Sequence, residues 1–305
     1  DDGSTDSSFD LALRASKGDS RIRILRKDHS GLPLALNTGI SESRAHYIAR
    51  MDGDDLMHPE RLSLQLEYLD SHPETDIVSC QVDLFPEHMV TDGFQRYIDW
   101  VHRSETHQEV ISDLFRESPL PHPSVMLRRS VFERVGGYRD FDGPEDYDLW
   151  IRMTMAGMRF YRLPKRLLFW RVKETSLSRS SGRYRAEAFR RLSWEFMLHY
   201  ITHLNSQPEK SRPLLICGAG KSGRMLYRYL TEHQVTVSGF LDVDPGRIGG
   251  KTLELPVYSV AYLDTLKEPP FLLFNVGNWG AVEEFETLMS SLGREPLIDY
   301  LVVSS

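Results

Sequence analysis

The segment YIARMDGDD, residues 47–55, decides how the first part of the chain is interpreted. It begins as a short apolar strand and ends in three carboxylates, Asp52, Asp54 and Asp55. Side chains at the carboxyl end of a strand reach the crevice where open α/β sheets bind ligands. Mg²⁺ and Mn²⁺ prefer carboxylate oxygens and keep positions for substrate phosphates. The segment therefore predicts a metal–diphosphate site, with an ordinary Asp-Gly turn as the plainer alternative.

Strands and helices alternate on both sides of this segment. The apolar pattern predicts strands at 22–25, 46–52, 76–84, 124–128, 158–162 and 166–172. It predicts helices after Pro59, over 92–117, before Gly136, from Pro144 to Gly157 and over about 183–204. Leu62, Leu66 and Leu69 fall on one face of the first of these helices. The alternation predicts an α/β fold, with a mostly parallel sheet flanked by helices.

The chain has 305 residues, enough for two domains of about 100–200 residues each. Residues 1–205 are predicted to form the first domain. Residues 206–213, which are polar and contain two prolines, are predicted to be a linker. The pattern of strands and helices then restarts. Residues 214–305 are predicted to form a small β-α-β domain with strands at 214–217, 235–241, 271–276 and 297–303.

Composition narrows the class of protein. The net charge of −7 argues against a general nucleic-acid-binding protein, because such domains are usually basic. Cys80 and Cys217 are far apart and flanked by apolar residues, as buried thiols are, which excludes a disulfide framework. No apolar stretch approaches the roughly 18 residues that span a bilayer, and no signal peptide is visible. We therefore expect a reducing, cytoplasmic location.

A second pair of carboxylates, Glu145 and Asp146, follows Pro144 at the start of a predicted helix. A carboxylate that faces a cleft can take the proton from a hydroxyl as a general base, which contributes on the order of 10²–10⁴-fold in rate. The plainer alternative is that acidic residues in a first helical turn complement the helix dipole. The pair alone does not distinguish these two interpretations.

Several motifs occur in an order and at spacings that resemble the family 2 glycosyltransferases of GT-A fold. They are DDGSTD at 1–6, NTGI at 37–40, the segment 47–55, HPSVM at 122–126, GGY at 136–138 and EDYDLWIR at 145–152. The resemblance covers about residues 1–180 and implies an inverting, in-line sugar transfer. Members of this family normally have a strand, a helix and a second strand before DDGSTD. The expected GT-A sheet is therefore incomplete at its N-terminal side.

The resemblance also implies how a nucleotide-sugar donor would be held. Asp2 is expected to contact the nucleotide base, and Asp52 to lie near the ribose. Asp54 or Asp55 is expected to hold Mg²⁺ or Mn²⁺. Many members carry a Tyr-Arg-x-His-like segment whose histidine reaches the metal, but this chain has WRVK at 170–173.

For the chemical step, the resemblance implies that Asp146 is the catalytic base. Glu145 would position that base or the acceptor. Arg171 and Lys173 are the best candidates for binding the donor diphosphate, because they follow a predicted strand near the proposed cleft.

Basic residues cluster between residues 165 and 191 of an otherwise acidic chain. Arginine side chains bind phosphates well, so the cluster could meet the donor diphosphate, a lipid diphosphate acceptor or anionic headgroups. Peripheral contact with the inner face of a membrane is thus one expectation, and a solvated helix face is the alternative. The cluster consists of Lys165, Arg166, Arg171, Lys173, Arg179, Arg183, Arg185, Arg190 and Arg191.

The predicted second domain opens with LLICGAGKSG, residues 214–223, a strand that runs into a GxGxxG motif and a helix. Gly218, Gly220 and Gly223 would allow a tight turn and a close approach to phosphate. Asp242, after the next strand, is placed to accept from ribose hydroxyls. The segment resembles the Rossmann-like domains of bacterial nucleotide-sugar-modifying enzymes, which implies a bound nucleotide or nucleotide-sugar. Glycines kept only for helix–strand packing are the alternative.

Together these features predict an enzyme that moves a sugar from a nucleoside diphosphate sugar to a hydroxyl of a cell-surface glycan or its lipid-linked precursor. Two alternatives stay open. An NAD(P)-linked sugar-nucleotide oxidoreductase or epimerase would use the second domain as its active part. A non-catalytic nucleotide-sugar-binding protein would bind the donor without turnover.

Overall fold

A computed structural model describes residues 1–174, 182–207, 212–275, 277 and 279–303. The chain divides into two compact units. Unit 1 comprises Asp1–Arg96 and Pro121–Ser176, and unit 2 comprises Tyr97–Leu120 and Leu177–Ser305. This grouping places residues 97–120 and the helical segment before 206 with the C-terminal part of the chain. The predicted linker 206–213 includes 208–211, which lie outside the described residues, so the predicted boundaries at 205 and 214 stay a prediction.

In the part of unit 1 that the structure describes, five strands form one sheet in the order β1-β4-β3-β5-β2. The strands are β1 Tyr47–Ala49, β2 Leu56–Met57, β3 Ile77–Phe85, β4 Met126–Arg128 and β5 Phe160–Arg171. The central strand β3 is apolar and buried at its start, including Val78, Cys80 and Val82. This burial makes β3 the core of the sheet.

The strand directions of this sheet differ from the prediction. β1 pairs with β4, β3 with β4 and β2 with β5 in antiparallel fashion, whereas β3 and β5 are parallel. The predicted mostly parallel sheet is therefore wrong for unit 1, because an apolar run does not encode the direction of its neighbour. The strands predicted at 158–162 and 166–172 are one strand, β5. Its register against β3 shifts on either side of Gln81, next to Pro164, since proline cannot donate to a strand ladder.

The helices up to residue 155 alternate with these strands. They are α1 Ser8–Ser16, α2 Leu32–Glu42, α3 Arg61–Ser71, α4 Asp92–Val101, α5 His107–Leu114, α6 Ser130–Val135 and α7 Glu145–Met155. Helix α3 buries Arg61, Gln65 and Leu69, whereas Leu62 is 40% and Leu66 39% exposed. The apolar pattern therefore placed Leu69 correctly but not Leu62 and Leu66. The buried face is completed by Arg61 and Gln65, which are hydrogen-bonded there.

Two other elements depart from the sequence prediction. The predicted strand at 22–25 does not form, because these described residues belong to no strand or helix. The predicted helix over 92–117 is two helices, α4 and α5. The second starts at a capping box, in which Thr106 and Glu109 satisfy each other's backbone N–H groups.

Unit 2 contains a sheet with strand order β11-β10-β6-β7-β9-β8 in its described residues. Its strands are β6 Leu214–Cys217, β7 Gly239–Leu241, β8 Lys251–Thr252, β9 Leu255–Tyr258, β10 Phe271–Phe274 and β11 Tyr300–Val302. Its helices after residue 182 are α8 Ala186–Asn205, α9 Lys221–Glu232 and α10 Trp279–Ser291. The pairings are parallel except for the short β8–β9 hairpin, which confirms the mostly parallel prediction here.

Aromatic packing explains why residues 97–120 group with unit 2. The ring of Phe115, just after α5, stacks on Phe196 of α8 at a centroid distance of 4.4 Å. The hydroxyl of Ser193 donates to the carbonyl of Phe115. On the same helix, Trp194 packs against Tyr229 of α9. Helix α8 therefore connects residues 97–120 to the helix that follows the glycine-rich turn.

The glycine-rich turn gives a test of unit 2. A Cβ built on Gly223 would lie 1.8 Å from the Gly218 carbonyl oxygen, whereas the nearest atom to one on Gly220 is 3.7 Å away. We expect Gly223→Ala to lower the free energy of unfolding by about 1–3 kcal/mol or more, because backbone must move. Gly220→Ala is the matched control and should unfold like the wild type. Equal urea midpoints for the two variants would contradict this packing.

Candidate functional site

Arg50 follows β1 and begins the acidic turn of unit 1. Its backbone N–H donates to the Val125 carbonyl, which continues the pairing with the neighbouring chain segment. Its guanidinium donates to Asp52 Oδ2 at 2.6 Å and is only 9% exposed. The chain then turns, with the Asp55 N–H donating to the Asp52 carbonyl at 3.3 Å. The acidic turn is thus held by a nearly buried cation.

Two buried polar residues, Arg61 and Gln65, hold the acidic turn in place. Arg61 is completely buried and donates from Nη2 to the Arg50 carbonyl at 2.8 Å and from Nε to Gln65 at 3.1 Å. Gln65 in turn donates to the carbonyls of Ser124 and Val78. Such bonds are costly to remove, because each lost partner leaves a buried polar group unsatisfied. They tie α3, β3 and the segment before β4 to the end of β1.

Two basic side chains from the end of β5 meet the acidic turn. Arg171 donates from its backbone N–H to Asp55 Oδ1 at 2.8 Å and from Nε to the Asp54 carbonyl at 2.7 Å. Lys173 Nζ lies 2.7 Å from Asp54 Oδ2. The structure therefore brings together Asp52, Asp54 and Asp55 with both predicted phosphate-binding residues. Of the other predicted basic residues, Arg166 pairs with Asp83, and Arg179 lies outside the described residues.

Asp55 is the buried member of this cluster. Burial raises its pKa to about 6, and the charges of Asp52 and Asp54 add to the rise, whereas the Arg171 N–H and the charge of Arg50 oppose it. Its Oδ2 is buried and has no hydrogen-bond partner within the described residues. A buried carboxylate oxygen of this kind is suited to a cation, because an unpaired charge is unfavourable there.

The second acidic pair lies in the first turn of α7, next to a buried histidine. Glu145 is 2% exposed, and its Oε1 lies 3.7 Å from His122 Nδ1. Burial lowers the pKa of His122 well below its ordinary value, and the charge of Arg50 lowers it further, so the ring is neutral. His122 Nε2 bonds the Tyr138 hydroxyl at 2.7 Å. Burial raises the pKa of Tyr138, so its hydroxyl keeps its proton.

Asp146 has the properties of a group that exchanges a proton near neutral pH. Burial raises its pKa to about 7, and the charge of Glu145 adds to the rise. The Tyr147 N–H, which donates to Asp146 Oδ1 at 2.8 Å, and the charge of Arg50 act in the opposite direction. A base whose pKa is near the working pH is ionised in a large fraction of molecules and is still basic enough to take a proton from a hydroxyl.

Arg50 connects the two acidic groups electrostatically. It is bonded to Asp52, and its charge stabilises the ionised forms of both Asp55 and Asp146. The charge of Arg50 therefore acts on carboxylates of both the turn after β1 and the start of α7. Sequence reasoning did not select Arg50, although it stands inside the quoted 47–55 segment. Its signal was a cation directly before three carboxylates.

The N-terminal motifs are joined to this site by side-chain bonds to backbone. Asn37 of α2 accepts from the Tyr138 N–H and donates to the Tyr138 carbonyl, both at 2.8 Å. Asp2 accepts from the N–H groups of Ser30 and Gly31, which lowers its pKa. The carboxylate of Asp2 therefore orders the loop before α2, and its expected contact with a nucleotide base stays a prediction.

The predicted residues of the second site lie together in unit 2. Gly218, Gly220, Gly223 and Asp242 all line one cavity beside the N-terminus of α9. Asp242 accepts from the Ala219 N–H at 2.8 Å. Both cysteines are free and buried, as predicted.

The carboxylates of the acidic turn fit a metal ion only if a bound substrate supplies the remaining ligands of that ion. Among the described residues, no three His, Cys, Asp or Glu side chains are close enough to hold an ion by themselves. Mg²⁺ needs only one or two carboxylates when substrate phosphates complete its shell. Asp54 and the partnerless Oδ2 of Asp55 fit that requirement. No helix in the described ranges is both long and apolar enough to cross a membrane.

The raised pKa of Asp146 predicts a pH-dependent difference in stability. Below about pH 4 the carboxyl group is protonated in the folded and unfolded chain, whereas between its ordinary pKa of 3.8 and about 7 only the folded chain holds the proton. Ionisation therefore costs stability as pH rises through that window. Asp146→Asn should melt a few degrees above wild type at pH 8, with the difference vanishing towards pH 4. A constant difference in melting temperature between Asp146→Asn and the wild type from pH 4 to pH 8 would contradict the assignment.

The chain is similar to several known proteins. The model of the glycosyl transferase family 2 matches residues 1–136. An uncharacterized glycosyltransferase of Haemophilus influenzae is 32% identical over 170 residues, which are 56% of this chain and 60% of that protein. The amylovoran biosynthesis glycosyltransferase AmsE of Erwinia amylovora is 31% identical over 153 residues, 50% of this chain and 54% of that protein.

A solved structure also resembles this chain. It is the mannosyltransferase PcManGT from Pyrobaculum calidifontis in complex with GDP-Man and Mn²⁺, with a TM-score of 0.45, 18% identity, and coverage of 67% of this chain and 53% of that one. The chain spans between about half and two thirds of the length of these curated relatives. The matched range of the family model includes the acidic turn, so this part of the chain is similar to glycosyl transferase family 2, whereas Glu145 and Asp146 lie beyond that range.

Proposed function

We propose that the chain transfers a sugar from a nucleoside diphosphate sugar to a hydroxyl group of a glycan or lipid-linked precursor, with inversion at the anomeric carbon. The observation that carries this proposal is the arrangement around Arg50. The charge of Arg50 acts both on the turn that holds Asp54 with two basic groups for a diphosphate and on Asp146, whose pKa is about 7. A single displacement needs these two functions on opposite sides of the transferred sugar.

Asp146 is the group that activates the acceptor in this proposal. Its carboxylate takes the proton of the acceptor hydroxyl as that oxygen bonds to the anomeric carbon. The bond from this carbon to the diphosphate oxygen breaks in the same step, and the nucleoside diphosphate leaves with the electron pair. Glu145, buried beside neutral His122, keeps the pKa of Asp146 high through its charge and supports the start of α7.

In this proposal the charge of Asp54 is neutralised both before and after the donor diphosphate binds. In the structure Lys173 neutralises Asp54. An Mg²⁺ or Mn²⁺ ion held by Asp54 and Asp55 would supply Lewis-acid stabilisation of the departing diphosphate. Lys173 would then be available to a phosphate oxygen, and Arg171 already stands at the same turn through its bond to the Asp54 carbonyl. Asp54 would thus pair with the metal ion, and Lys173 would pair with the phosphate.

The acceptor class follows from the relatives and the reaction. The name of AmsE describes it as a glycosyltransferase of amylovoran biosynthesis. We therefore propose a cell-surface polysaccharide or its lipid-linked precursor as acceptor, formed at the inner face of the membrane. The basic residues after β5 that could meet such a surface include Arg183, Arg185, Arg190 and Arg191.

The base assignment predicts a separation of turnover from donor binding. Asp146→Asn removes the proton acceptor but keeps the shape and the bond from the Tyr147 N–H. We expect kcat to fall on the order of 10²–10⁴-fold, with the Kd for the donor nearly unchanged. Release of UDP or GDP from a panel of donor sugars, with acceptor extract present, measures kcat. Asp142→Asn is the surface control, and near-normal turnover in Asp146→Asn would refute the role.

The metal assignment predicts a different defect. Asp54→Asn should abolish transfer that depends on Mg²⁺ or Mn²⁺ and weaken binding of UDP or GDP only when the ion is present. An Asp28→Asn variant, at an exposed position of unit 1, serves as the control. Transfer that resists EDTA and the Asp54 substitution would exclude the metal.

Nicotinamide absorbance changes with a sugar nucleotide would favour the oxidoreductase alternative, and donor binding without turnover would favour a binding protein.

A further inference from the structure

Unit 2 contains a cavity that the transfer reaction does not use. Its volume is about 460 Å³, within the range of about 300–1,000 Å³ typical of small-molecule sites. The interior is apolar and lies between the sheet and α10. It is lined by Leu263, Leu272, Phe274, Phe285, Leu288 and Met289. A cavity with such walls would seat a planar or apolar group.

The cavity opens at the carboxyl ends of the central strands. Strands β7 and β9 follow β6 on one side, and β10 and β11 lie on its other side, so the order reverses between β6 and β10. Lining residues come from the ends of β6, β7 and β10. Ligands of open α/β sheets bind in the crevice at such a reversal point. The strand order and the position of the cavity thus indicate the same binding place for a ligand.

The charged residues that line the cavity are Lys221, Arg247, Asp242 and Glu284. Helix α9 begins there after Gly220, within described residues that offer no side-chain cap for its first N–H groups. Lys221 and Ser222 line the same mouth. Free N–H groups and the positive end of a helix dipole bind phosphate oxygens. A phosphate is therefore the group that this end of the cavity fits.

Arg247 adds a side chain to this phosphate position. Its Nη1 lies 3.0 Å from Asp242 Oδ2, and its Nε lies 3.3 Å from Asp244 Oδ2. Asp242 also accepts from the N–H groups of Ala219 and Asp244. Three bonds already engage the carboxylate, so Asp242 positions the guanidinium and the turn before α9. Its expected contact with a ribose would be secondary to that role.

Gly220 keeps the space next to Arg247 open. Its φ of −74° is available to any residue, and the nearest atom to a Cβ placed there is Arg247 Nη1 at 3.7 Å. Folding therefore does not require glycine at this position, in contrast to Gly223, whose Cβ would overlap the Gly218 carbonyl. The missing side chain leaves room for a ligand beside the guanidinium.

We propose that unit 2 is a second binding site, for a nucleotide whose phosphate lies between the N-terminus of α9 and Arg247 and whose ring inserts into the apolar cavity. The ligand chemistry is a phosphate ester joined to a planar ring, which both a dinucleotide and a nucleoside diphosphate possess. The site needs no metal, because its positive groups belong to the protein. It therefore differs in chemistry from the acidic turn of unit 1.

Calorimetric titration of the full chain in EDTA tests this site. The probes are UDP, GDP, NAD⁺ and NADP⁺, and EDTA together with Asp54→Asn silences a metal-dependent site in unit 1. We expect saturable binding of at least one probe, unchanged by Asp54→Asn. Arg247→Ala should weaken it at least about tenfold, since it removes a charged hydrogen bond. Arg228→Ala, an exposed arginine of α9, is the control and should bind normally.

Gly220→Val tests the geometry separately from the charge. It should abolish binding of the same probe while its thermal unfolding stays that of the wild type. If this variant fails to fold, the Arg247→Ala result decides alone, because that side chain is 45% exposed. No binding of any probe, equal affinity for inorganic phosphate, or binding that is insensitive to Arg247→Ala would overturn the proposal. Preference for NAD⁺ or NADP⁺ over UDP and GDP would identify a dinucleotide.

Discussion

One cation, the guanidinium of Arg50, acts on carboxylates of both the acidic turn and the first turn of α7. Like charges brought together in a buried place raise one another's pKa, as they do for Asp55 and Asp146. Arg50 offsets this repulsion from a position that is only 9% exposed, where its charge is little screened. Its own carbonyl is held by completely buried Arg61. The site therefore rests on a pair of arginines, one that sets the charge and one that sets the position.

The rest of unit 1 supplies rigid supports for this centre. Helix α7 starts beside neutral His122, and His122 is bonded to Tyr138, whose backbone is held by Asn37. A Cβ on Gly137 would lie 2.2 Å from Asn37 Oδ1, so a larger residue there would displace the side chain that holds Tyr138. Segments that are distant in sequence thus meet through neutral hydrogen bonds. These neutral bonds support the start of α7, whereas Arg61 holds the acidic turn.

Short motifs in the sequence predicted the positions of the acidic turn, the start of α7 and the glycine-rich turn. The directions of the strands in unit 1 were not predicted, because they depend on pairing with distant segments. The acidic turn, the start of α7 and the glycine-rich turn are local patterns, and the structure places each at a strand end or helix start. The antiparallel pairings of β1, β2 and β4 depend on distant neighbours, which periodicity does not describe. The buried face of α3 was missed because Arg61 and Gln65 are counted as surface residues unless their partners are known. The break between α4 and α5 was readable, since Thr106 and Glu109 have capping-box spacing.

We infer that the turn after β1 and the start of α7 share the field of Arg50. Carboxyl-carbon NMR titration of Asp146, in wild type and in Arg50→Met, measures this directly. We expect a pKa of about 7 in the wild type and a clearly higher value in the variant, because the charge that favours the ionised form is gone. An identical titration of Asp146 in the two proteins would show that the acidic groups do not belong to one site.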